Sequence, residues 1–301
     1  MRIIYLGTPE FAVPSLQILV ENGYEVVAVV TAPDKPAGRG NQIQMSDVKK
    51  YALSQNLNIL QPEKLKDPEF LETLKALKAD LQIVVAFRML PEVVWNMPPL
   101  GTFNRHASLL PKYRGAAPIN WAIINGEKET GATTFFLQHE IDTGNIIFQE
   151  KETIDFTDNV GTLYERLMHK GAKLVLKTVQ AIEKGEVHTS PQLGEVTHAP
   201  KIFRETCQID WNKEHAEIHN FVRGLAPYPA AWTNLQGKNC KIYEISTEKS
   251  DIVAQGQIGD VYADGKKLAF FSKSGWIEIN DLQLEGKKRM LVSEFLKGFR
   301  L

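Results

Sequence analysis

Three side chains in the middle of the chain have the types needed to move an acyl group between two amines. Asn104 and His106 lie two residues apart where a short strand is predicted, and Asp142 follows a second predicted strand, residues 132–137. Side chains two apart on a strand point to the same face of its sheet. An amide, an imidazole and a carboxylate are therefore expected to meet at one sheet edge.

These groups match the chemistry of an amine attacking a formyl carbon. The attack gives a tetrahedral intermediate, whose oxyanion an asparagine amide can stabilise with a hydrogen bond. A histidine can carry the proton from the attacking amine to the leaving nitrogen, and a nearby carboxylate can orient that histidine. The residue types alone leave other interpretations open: His106 as a structural hydrogen-bonding residue, Asp142 as a turn former, and Asn104 as a partner of its own backbone.

The elements that must position these residues alternate between strands and helices. Apolar runs at residues 2–6, 25–31 and 81–86 are separated by helical patterns. Ser46 and Asp67 are predicted N-caps, and a proline opens the second of these helices. Runs that are apolar throughout indicate a parallel sheet covered on both faces. The first part of the chain is therefore predicted to be a doubly wound, mostly parallel α/β fold of the Rossmann-like type, with ligands bound beyond the carboxyl ends of its strands.

A second, smaller domain is predicted towards the end of the chain. A long helix beyond Asp158 is expected to end at Gly185, and the proline-containing stretch after it is typical of a linker. Asp264-Gly265 is a hairpin signal, and short strands at this spacing favour a small antiparallel barrel of the OB-like type. The expected boundaries are a catalytic domain at residues 1–190, a linker at 191–205 and a barrel domain at 206–301.

The composition is that of an ordinary globular protein and excludes several classes. Hydrophobic residues make up 43% and charged residues 24%, and no run approaches the ~20 apolar residues of a membrane span. The two cysteines suit a reducing cytoplasm rather than a disulfide framework or a metal site. A net charge of −1 means that any nucleic-acid contact must come from clustered cations. We expect a cytoplasmic protein without a bound metal, and we expect it to be a monomer.

Several stretches of the sequence resemble the formyltransferase family. The central match runs NRHASLLP at residues 104–111, YRGAAP at 113–118 and DTG at 142–144. It is similar to the family's Asn-x-His…Ser-Leu-Leu-Pro…Arg-Gly…Asp pattern. Further stretches resemble the methionyl-tRNA branch of the family: GTPEF at 7–11, PDKPAGRG at 33–40, LAPYPAAW at 225–232 and GKKRM at 286–290. The resemblance thus spans essentially the whole chain.

The resemblance implies a reaction, a donor and an acceptor. It implies transfer of the formyl group of 10-formyltetrahydrofolate to the α-amino group of methionine on initiator tRNA, for translation initiation, with the three residues above as catalytic residues. It places tetrahydrofolate against Arg88-Met89-Leu90 and against Ser108-Leu109-Leu110-Pro111. One departure is Arg105, where the family usually has an apolar residue. On a strand Arg105 points away from the catalytic face, so the packing behind the site must accommodate or expose a charge.

Five cations are candidates for contact with tRNA. Composition alone favours an ordinary surface loop at residues 31–45, but the resemblance implies that Arg39 in this loop binds the acceptor end, through phosphate or a base. Lys35 in the same loop is a further candidate for contact with tRNA. The adjacent Lys287-Lys288-Arg289 form either a solvated turn or a phosphate-binding cluster, and the sequence leaves both interpretations open.

Other functions share parts of this pattern. A sugar-nucleotide N-formyltransferase is the nearest alternative, because it would use the same three residues and the same folate donor; the loop at residues 33–40 favours tRNA instead. A glycinamide ribonucleotide formyltransferase would have a single domain, and a formyltetrahydrofolate hydrolase would use water in place of the amine. A non-catalytic RNA-binding protein would not need the three residues together. NAD or FAD binding is rejected, because Gly-x-Gly-x-x-Gly is absent and Pro9 lacks a backbone donor.

Overall fold

The chain forms two compact units in a computed structural model that describes residues 1–37 and 42–299. Unit 1 comprises residues 1–115, 130–152 and 164–198, and unit 2 comprises residues 116–129, 153–163 and the chain from residue 199 onward. The units therefore do not follow one another along the chain, because two internal segments belong to the second unit. The expected boundaries at residues 190 and 205 remain predictions.

Strands and short helices alternate along most of the chain. The first half contains β1 (Arg2–Gly7), α1 (Val13–Glu21), β2 (Glu25–Val30), β3 (Lys35–Ala37), β4 (Gln42–Gln44), α2 (Asp47–Ser54), β5 (Ile59–Leu60), α3 (Pro68–Ala76), β6 (Leu81–Val85), α4 (Glu92–Trp95), β7 (Thr102–His106), β8 (Arg114–Gly115), α5 (Pro118–Ile124) and β9 (Glu129–Phe136). The second half contains β10 (Ile146–Thr153), α6 (Val160–Lys184), β11 (His198–Ala199), α7 (His215–Leu225), β12 (Ala231–Leu235), β13 (Lys238–Ile245), β14 (Val261–Ala263), β15 (Leu268–Ser272), β16 (Gly275–Leu284), β17 (Met290–Leu291) and α8 (Val292–Phe295).

Unit 1 is built on a seven-stranded sheet in the order β10-β9-β7-β6-β1-β2-β5. The pairs β1–β2, β1–β6, β2–β5 and β6–β7 are parallel, and β9 is antiparallel to β7. This confirms the predicted doubly wound, mostly parallel fold. The chain runs outward from β1 to β5 and then returns to β6 on the other side of β1. The carboxyl ends of β1 and β6 therefore form the switch point at which such sheets bind ligands.

The predicted helix ends are confirmed by their hydrogen bonds. Ser46 Oγ accepts a hydrogen bond from the amide of Lys49 at 3.1 Å, which caps α2. Asp67 Oδ1 accepts from the amide of Glu69 at 3.1 Å, and a proline is the first residue of α3. Gly185 follows the last residue of α6 with a positive φ of 68°, which satisfies the left-handed ending that favours glycine.

Unit 2 contains the curled antiparallel sheet predicted for an OB-like domain. Its strands lie in the order β12-β13-β16-β15-β14, and β17 pairs with β16. Asp264-Gly265 forms the turn between β14 and β15, where Asp264 Oδ1 accepts hydrogen bonds from the amides of Lys266 and Lys267. Trp211 stacks on Phe270 at 4.7 Å inside the apolar core of this sheet. The hairpin and the antiparallel fold are therefore both confirmed.

Two segments from the first half of the chain complete unit 2. Asn120 of α5 donates a hydrogen bond to the carbonyl of Gly224 in α7 at 2.8 Å. Arg223 of α7 donates Nη1 to the carbonyls of Asp155 and Asp158, each at 3.0 Å. Unit 2 is therefore assembled from segments far apart in sequence.

Candidate active site

Strand β7 places Asn104 and His106 at the edge of the unit 1 sheet where ligands are expected. Asn104 lies opposite Phe135 of the antiparallel β9, and His106 lies opposite Thr133. On its other side, β7 runs parallel to β6, with Asn104 in register with Val84. Alternation along the strand puts these two side chains on one face and the intervening residue on the other.

His106 and Asp142 come together in a nearly buried position. Their atoms Nδ1 and Oδ2 lie 3.9 Å apart, and only 8% and 10% of the two side chains are exposed. The separation is too long for a direct hydrogen bond. It is short enough for an electrostatic attraction between the carboxylate and a protonated ring.

The hydrogen bond on the far side of the His106 ring determines which nitrogen exchanges a proton. His106 Nε2 lies 2.8 Å from the carbonyl oxygen of Tyr113. A carbonyl oxygen only accepts hydrogen bonds, so Nε2 carries a proton and donates it. Nδ1 is then the nitrogen that takes up or releases a proton, and it faces Asp142.

Asp142 lies in a tight turn that aims its carboxylate at this ring. Its φ is +56°, in the left-handed region, and its Oδ2 accepts a hydrogen bond from the amide of Gly115 at 2.9 Å. A Cβ at Gly144 would lie 1.6 Å from the carbonyl oxygen of Phe136, so only glycine fits there. Asp142 is therefore a turn residue whose turn presents it to His106.

Asn104 has an amide available for a ligand. Its side chain is half-buried, and within residues 1–37 and 42–299 it makes no hydrogen bond. The interpretation of Asn104 as a partner of its own backbone therefore has no bond to support it. A free amide beside His106 is the arrangement that an oxyanion donor requires.

Arg105 is accommodated in the core behind the site. It is 2% exposed, and its guanidinium lies 4.1 Å from the centre of the Phe11 ring. Nη2 donates to the carbonyl of Leu167, whereas Nε and Nη1 have no partner within the described chain. Burial lowers the pKa of Arg105 to about 10, so the group stays charged at neutral pH. Space for it exists because position 171 is glycine: a Cβ on Gly171 would lie 1.9 Å from Nε.

The side chains of Thr133 and Gln149 form hydrogen bonds to the backbone of the expected folate segment at residues 108–111. Thr133 Oγ1 donates to the carbonyl of Ser108 at 2.6 Å and accepts from the amide of Leu110 at 3.1 Å. Gln149 Nε2 donates to the carbonyl of Leu110 at 2.9 Å and to Thr133 Oγ1 at 3.0 Å. The side chains of this segment are buried except for Leu109, which is half-buried. A ligand here would therefore meet Leu109 and the backbone.

Replacement of Thr133 by valine is expected to loosen this segment. Valine keeps the shape but leaves the Ser108 carbonyl and the Leu110 amide without a partner, which typically costs about 1–3 kcal/mol. We expect a lower free energy of unfolding in denaturant and a raised KM for the folate donor. Thr133→Ser keeps the hydroxyl and is the matched control. A valine variant as stable and as active as the serine variant would contradict the proposed support.

The other expected folate segment follows β6 at the switch point. Arg88 donates to the carbonyls of Pro62 and Glu63, the latter at 2.8 Å, so its side chain is tied to a neighbouring loop. Met89 is 73% exposed and Leu90 is buried in the core. Among the described residues, the backbone amides and carbonyls of residues 88–90 make no hydrogen bond. They are free to pair with the polar edge of a ligand.

Comparison with known proteins identifies the family. The family described as Formyl transferase matches residues 1–179, and Formyl transferase, C-terminal domain, matches residues 201–300. The chain is 56% identical over 310 residues to the methionyl-tRNA formyltransferase of Bacteroides fragilis, covering 100% of this chain and 96% of that one. The corresponding protein of Flavobacterium johnsoniae is 53% identical over 304 residues, covering 99% and 96%. The chain belongs to the methionyl-tRNA formyltransferase family.

Solved structures of two other proteins share the fold. HypX from Aquifex aeolicus in complex with tetrahydrofolic acid superposes with a TM-score of 0.67 at 20% identity, over 99% of this chain and 48% of HypX. The chain thus spans about half the length of HypX. WlaRD, a sugar 3N-formyl transferase, superposes with a TM-score of 0.68 at 22% identity, over 96% of this chain and 99% of WlaRD. These identities support a common fold and no finer conclusion.

The two cations expected to contact tRNA near the catalytic edge belong to the β3–β4 region. Lys35 lies exposed in β3, opposite Gln44 of β4. Arg39 lies outside the described residues. Its expected contact with the acceptor end remains a prediction.

The cationic run in unit 2 is not uniform. Arg289 donates Nε and Nη2 to Asp281 Oδ2, at 2.9 and 2.6 Å, and its guanidinium lies 4.1 Å from the Tyr243 ring. Asp281 raises the pKa of Arg289, and the charge of this arginine is paired within the unit. Lys288 is exposed, and its ammonium has no partner in residues 1–37 or 42–299. Of the expected cluster, Lys288 is therefore better placed than Arg289 to bind a phosphate.

Sequence reasoning missed Gln192, which lies beside the catalytic pair. Gln192 Nε2 donates to the carbonyls of Asp142 and Gly144, at 2.7 and 2.9 Å. Its Oε1 accepts from Nε and Nη2 of Arg114, at 3.1 and 2.6 Å. No local signal marks this residue, because the stretch around it has no helical or strand periodicity and its partners are 48–78 residues away.

Membrane-spanning helices and clusters of metal ligands are both absent from residues 1–37 and 42–299. No helix in these ranges is long and apolar enough to cross a membrane. No three histidine, cysteine, aspartate or glutamate side chains in them are arranged to hold a metal ion. The expectation of a metal-free enzyme remains a prediction.

Proposed function

We propose that this chain transfers the formyl group of 10-formyltetrahydrofolate to the α-amino group of methionine carried by initiator tRNA. The observation that carries the proposal is the His106–Asp142 pair, 3.9 Å apart beside the free amide of Asn104. It occurs in a chain that is 56% identical over its full length to a protein named methionyl-tRNA formyltransferase. The product is formylmethionyl-tRNA, which serves translation initiation.

The three side chains divide the reaction between them. The amine of methionine attacks the formyl carbon, forming a new C–N bond and a tetrahedral intermediate with a negative oxygen. The Asn104 amide donates a hydrogen bond to that oxygen. His106 Nδ1 accepts the proton from the attacking nitrogen and delivers it to the folate nitrogen as the old C–N bond breaks. Asp142 stabilises the charged imidazole between these two steps. No group is oxidised or reduced, and one proton passes from the nitrogen of methionine to the folate nitrogen.

The folate donor fits beside β6 and β7. The unpaired backbone of residues 88–90 offers donors and acceptors for the polar edge of a pterin. The segment at residues 108–111, in the loop that follows β7, offers Leu109 and its backbone. Two proteins that share the fold have a folate in their solved structures: HypX is in complex with tetrahydrofolic acid, and WlaRD is in the presence of 5-N-formyl-THF.

Charged tRNA requires specific cations, because the net charge of the chain is −1. We assign the acceptor end to Lys35 and Arg39, and the remaining phosphate contacts to the run Lys287, Lys288 and Arg289 of the OB-like domain. Lys288 is the first candidate in this run, because the charge of Arg289 is paired with Asp281. A cytoplasmic site of action follows from the proposed acceptor, since charged tRNA is used there. One chain carries all these groups, so a monomer is sufficient for the reaction.

A direct assay tests this function. The chain is incubated with 10-formyltetrahydrofolate labelled in the formyl group and with initiator tRNA charged with methionine, and the released amino acid is identified by chromatography. Parallel reactions contain uncharged tRNA, a nucleotide-linked amino sugar, or no acceptor. Labelled formylmethionine with charged tRNA alone is the expected result. Formylation of the sugar would favour the sugar-nucleotide alternative, and formate release without acceptor would indicate a hydrolase.

Replacement of Lys288 by glutamate is expected to weaken tRNA use without affecting folate. Loss of one phosphate contact should raise the KM for charged tRNA about 5- to 10-fold and reduce the salt dependence of binding by about one counterion. The measurement is KM against salt concentration at fixed folate. Lys266→Glu, an exposed lysine at the hairpin of the same unit, is the matched control. Equal effects from the two substitutions would leave only a general charge effect and contradict the assignment.

A further inference from the structure

A segment of unit 1 outside the catalytic strands contacts the supports of both His106 and Asp142. Residues 190–197, here called the strap, follow α6, and all but the first of them lie in the region predicted to be a linker. At the start of the strap, Ser190 and Ile146 exchange two backbone hydrogen bonds, of 2.8 and 3.0 Å. This pairing anchors the strap at the first residue of β10, just after the turn that carries the catalytic carboxylate.

The far end of the strap supports the ring of His106. Thr197 Oγ1 accepts a hydrogen bond from the amide of Tyr113 at 2.9 Å, and its carbonyl accepts from the amide of Arg114 at 3.0 Å. Tyr113 is the residue whose carbonyl accepts the His106 Nε2 proton at 2.8 Å. Displacement of this end would therefore move the acceptor that fixes the orientation of the ring.

Gln192, in the middle of the strap, joins the two sides of the site. Both N–H groups of its amide are used by carbonyls of the catalytic turn, those of Asp142 and Gly144. Its amide oxygen is used twice by Arg114. Arg114 lies between Tyr113 and Gly115, and the amide of Gly115 donates to Asp142 Oδ2 at 2.9 Å. The amide of one glutamine thus spans the loop that orients His106 and the loop that carries Asp142.

We propose that Gln192 is a positioning residue that sets the distance between His106 Nδ1 and the carboxylate of Asp142. This inference rests on the proposed function, because the distance matters through the proton transfer at His106. Gln192 acts through Arg114 and the backbone of the catalytic turn and does not touch the reacting atoms. A displacement of about 1 Å in such a pair can cost about 100-fold in rate.

The role requires a glutamine and no other residue. Glutamate would keep the acceptor for Arg114 and strengthen that bond, but it would turn a negative oxygen towards two carbonyl oxygens. Asparagine is one methylene shorter and would not reach both sides. Methionine matches the length and shape of glutamine without any strong donor or acceptor. Glutamate and methionine therefore separate the orientation of the catalytic turn from simple packing.

The experiment compares Gln192→Glu, Gln192→Met and Leu193→Ala with the unsubstituted chain in formylation of charged initiator tRNA. Leu193 is the neighbouring residue and is 79% exposed, so its variant is the matched control. We expect kcat to fall about 10- to 100-fold in both Gln192 variants, with the KM for each substrate within about twofold. The melting temperature of Gln192→Glu should stay near that of the control. Unchanged kcat in Gln192→Glu would overturn the proposal.

Two further readouts separate positioning from a structural role. In a His106→Ala background, Gln192→Glu should lower the residual rate by less than about twofold, because the group it positions is gone. A full additional loss would overturn the proposal. Amide hydrogen exchange of residues 138–145 should be faster in Gln192→Glu than in Leu193→Ala, and equal exchange would overturn the proposal. This last measurement needs no acceptor. If the unsubstituted chain fails to formylate methionyl-tRNA, the proposed function is wrong, whereas the exchange result still decides whether Gln192 holds the turn.

Discussion

Replacement of His106 by alanine is expected to lower kcat for formyl transfer by about 10²–10⁴-fold, the range typical of a lost general acid–base group. The buried ring has one nitrogen fixed by the Tyr113 carbonyl and the other facing Asp142. No other described contact of the site supplies a nitrogen in that place. The measurement is single-turnover formylation at saturating folate and tRNA, with folate binding measured separately.

The partner residues should give related but distinguishable losses. Asn104→Ala removes an oxyanion donor, for which a loss of about 10²–10³-fold is typical. Asp142→Asn keeps an acceptor for the Gly115 amide and removes only the charge, so it tests attraction separately from turn geometry. Ile141→Ala, next to Asp142 and 61% exposed, is the matched control and should stay near normal. A folded variant of Asn104, His106 or Asp142 with near-normal kcat would remove that residue from the mechanism.

Replacement of Gly171 by alanine is expected to destabilise unit 1 strongly, and the sign of the effect should depend on Arg105. A Cβ at position 171 would lie 1.9–2.1 Å from three atoms of the buried guanidinium group. Overpacking of this kind typically costs about 1–3 kcal/mol. In an Arg105→Leu background those atoms are absent, and alanine is favoured over glycine inside a helix by about 1 kcal/mol. Gly171→Ala should then stabilise.

The single Arg105→Leu variant is the control for this comparison of Gly171→Ala in the two backgrounds. This substitution removes a buried charged group whose Nε and Nη1 have no partner in the described chain. Because such burial is unfavourable, the free energy of unfolding should be unchanged or higher. Since Arg105 points away from the catalytic face, kcat should be preserved. The four proteins are compared by urea unfolding at neutral pH. An equal cost for Gly171→Ala in both backgrounds would mean that the clash with Arg105 does not determine it.

The sequence was sufficient to predict the parts of this molecule that depend on local chemistry. Ser46 and Asp67 cap helices because a short acceptor followed by free amides forms the same bonds in most contexts. The parallel sheet followed from runs such as residues 81–85, which are buried throughout. The face shared by Asn104 and His106 followed from strand alternation alone. The resemblance then linked these residues to Asp142.

The features that sequence could not provide depend on contacts across the fold. Strand alternation predicts that Arg105 lies behind the site, but its burial depends on a missing side chain at Gly171, in a helix 66 positions later. The same holds for Gln192, whose four hydrogen bonds reach residues 48–78 positions away. A stretch without periodicity is naturally interpreted as a linker, although here it supports the site. A prediction based on runs of charge in the sequence could not find the ion pair between Arg289 and Asp281 either.

Unit 2 is assembled from segments far apart in sequence, and this affects how the chain folds during synthesis. A ribosome adds about 5–20 residues per second, so α5 is synthesised several seconds before α7. Helix α7 carries the partners of both internal segments: the Gly224 carbonyl accepts a hydrogen bond from α5, and the Arg223 side chain donates one to residues 153–163. During that interval these segments lack their partners, and Ile124, which packs on the core of unit 2, has nothing of that core to contact. Unit 2 can finish folding only when nearly the whole chain has left the ribosome. A nascent chain arrested before residue 199 is therefore expected to expose apolar surface and attract chaperones, whatever the state of its catalytic residues.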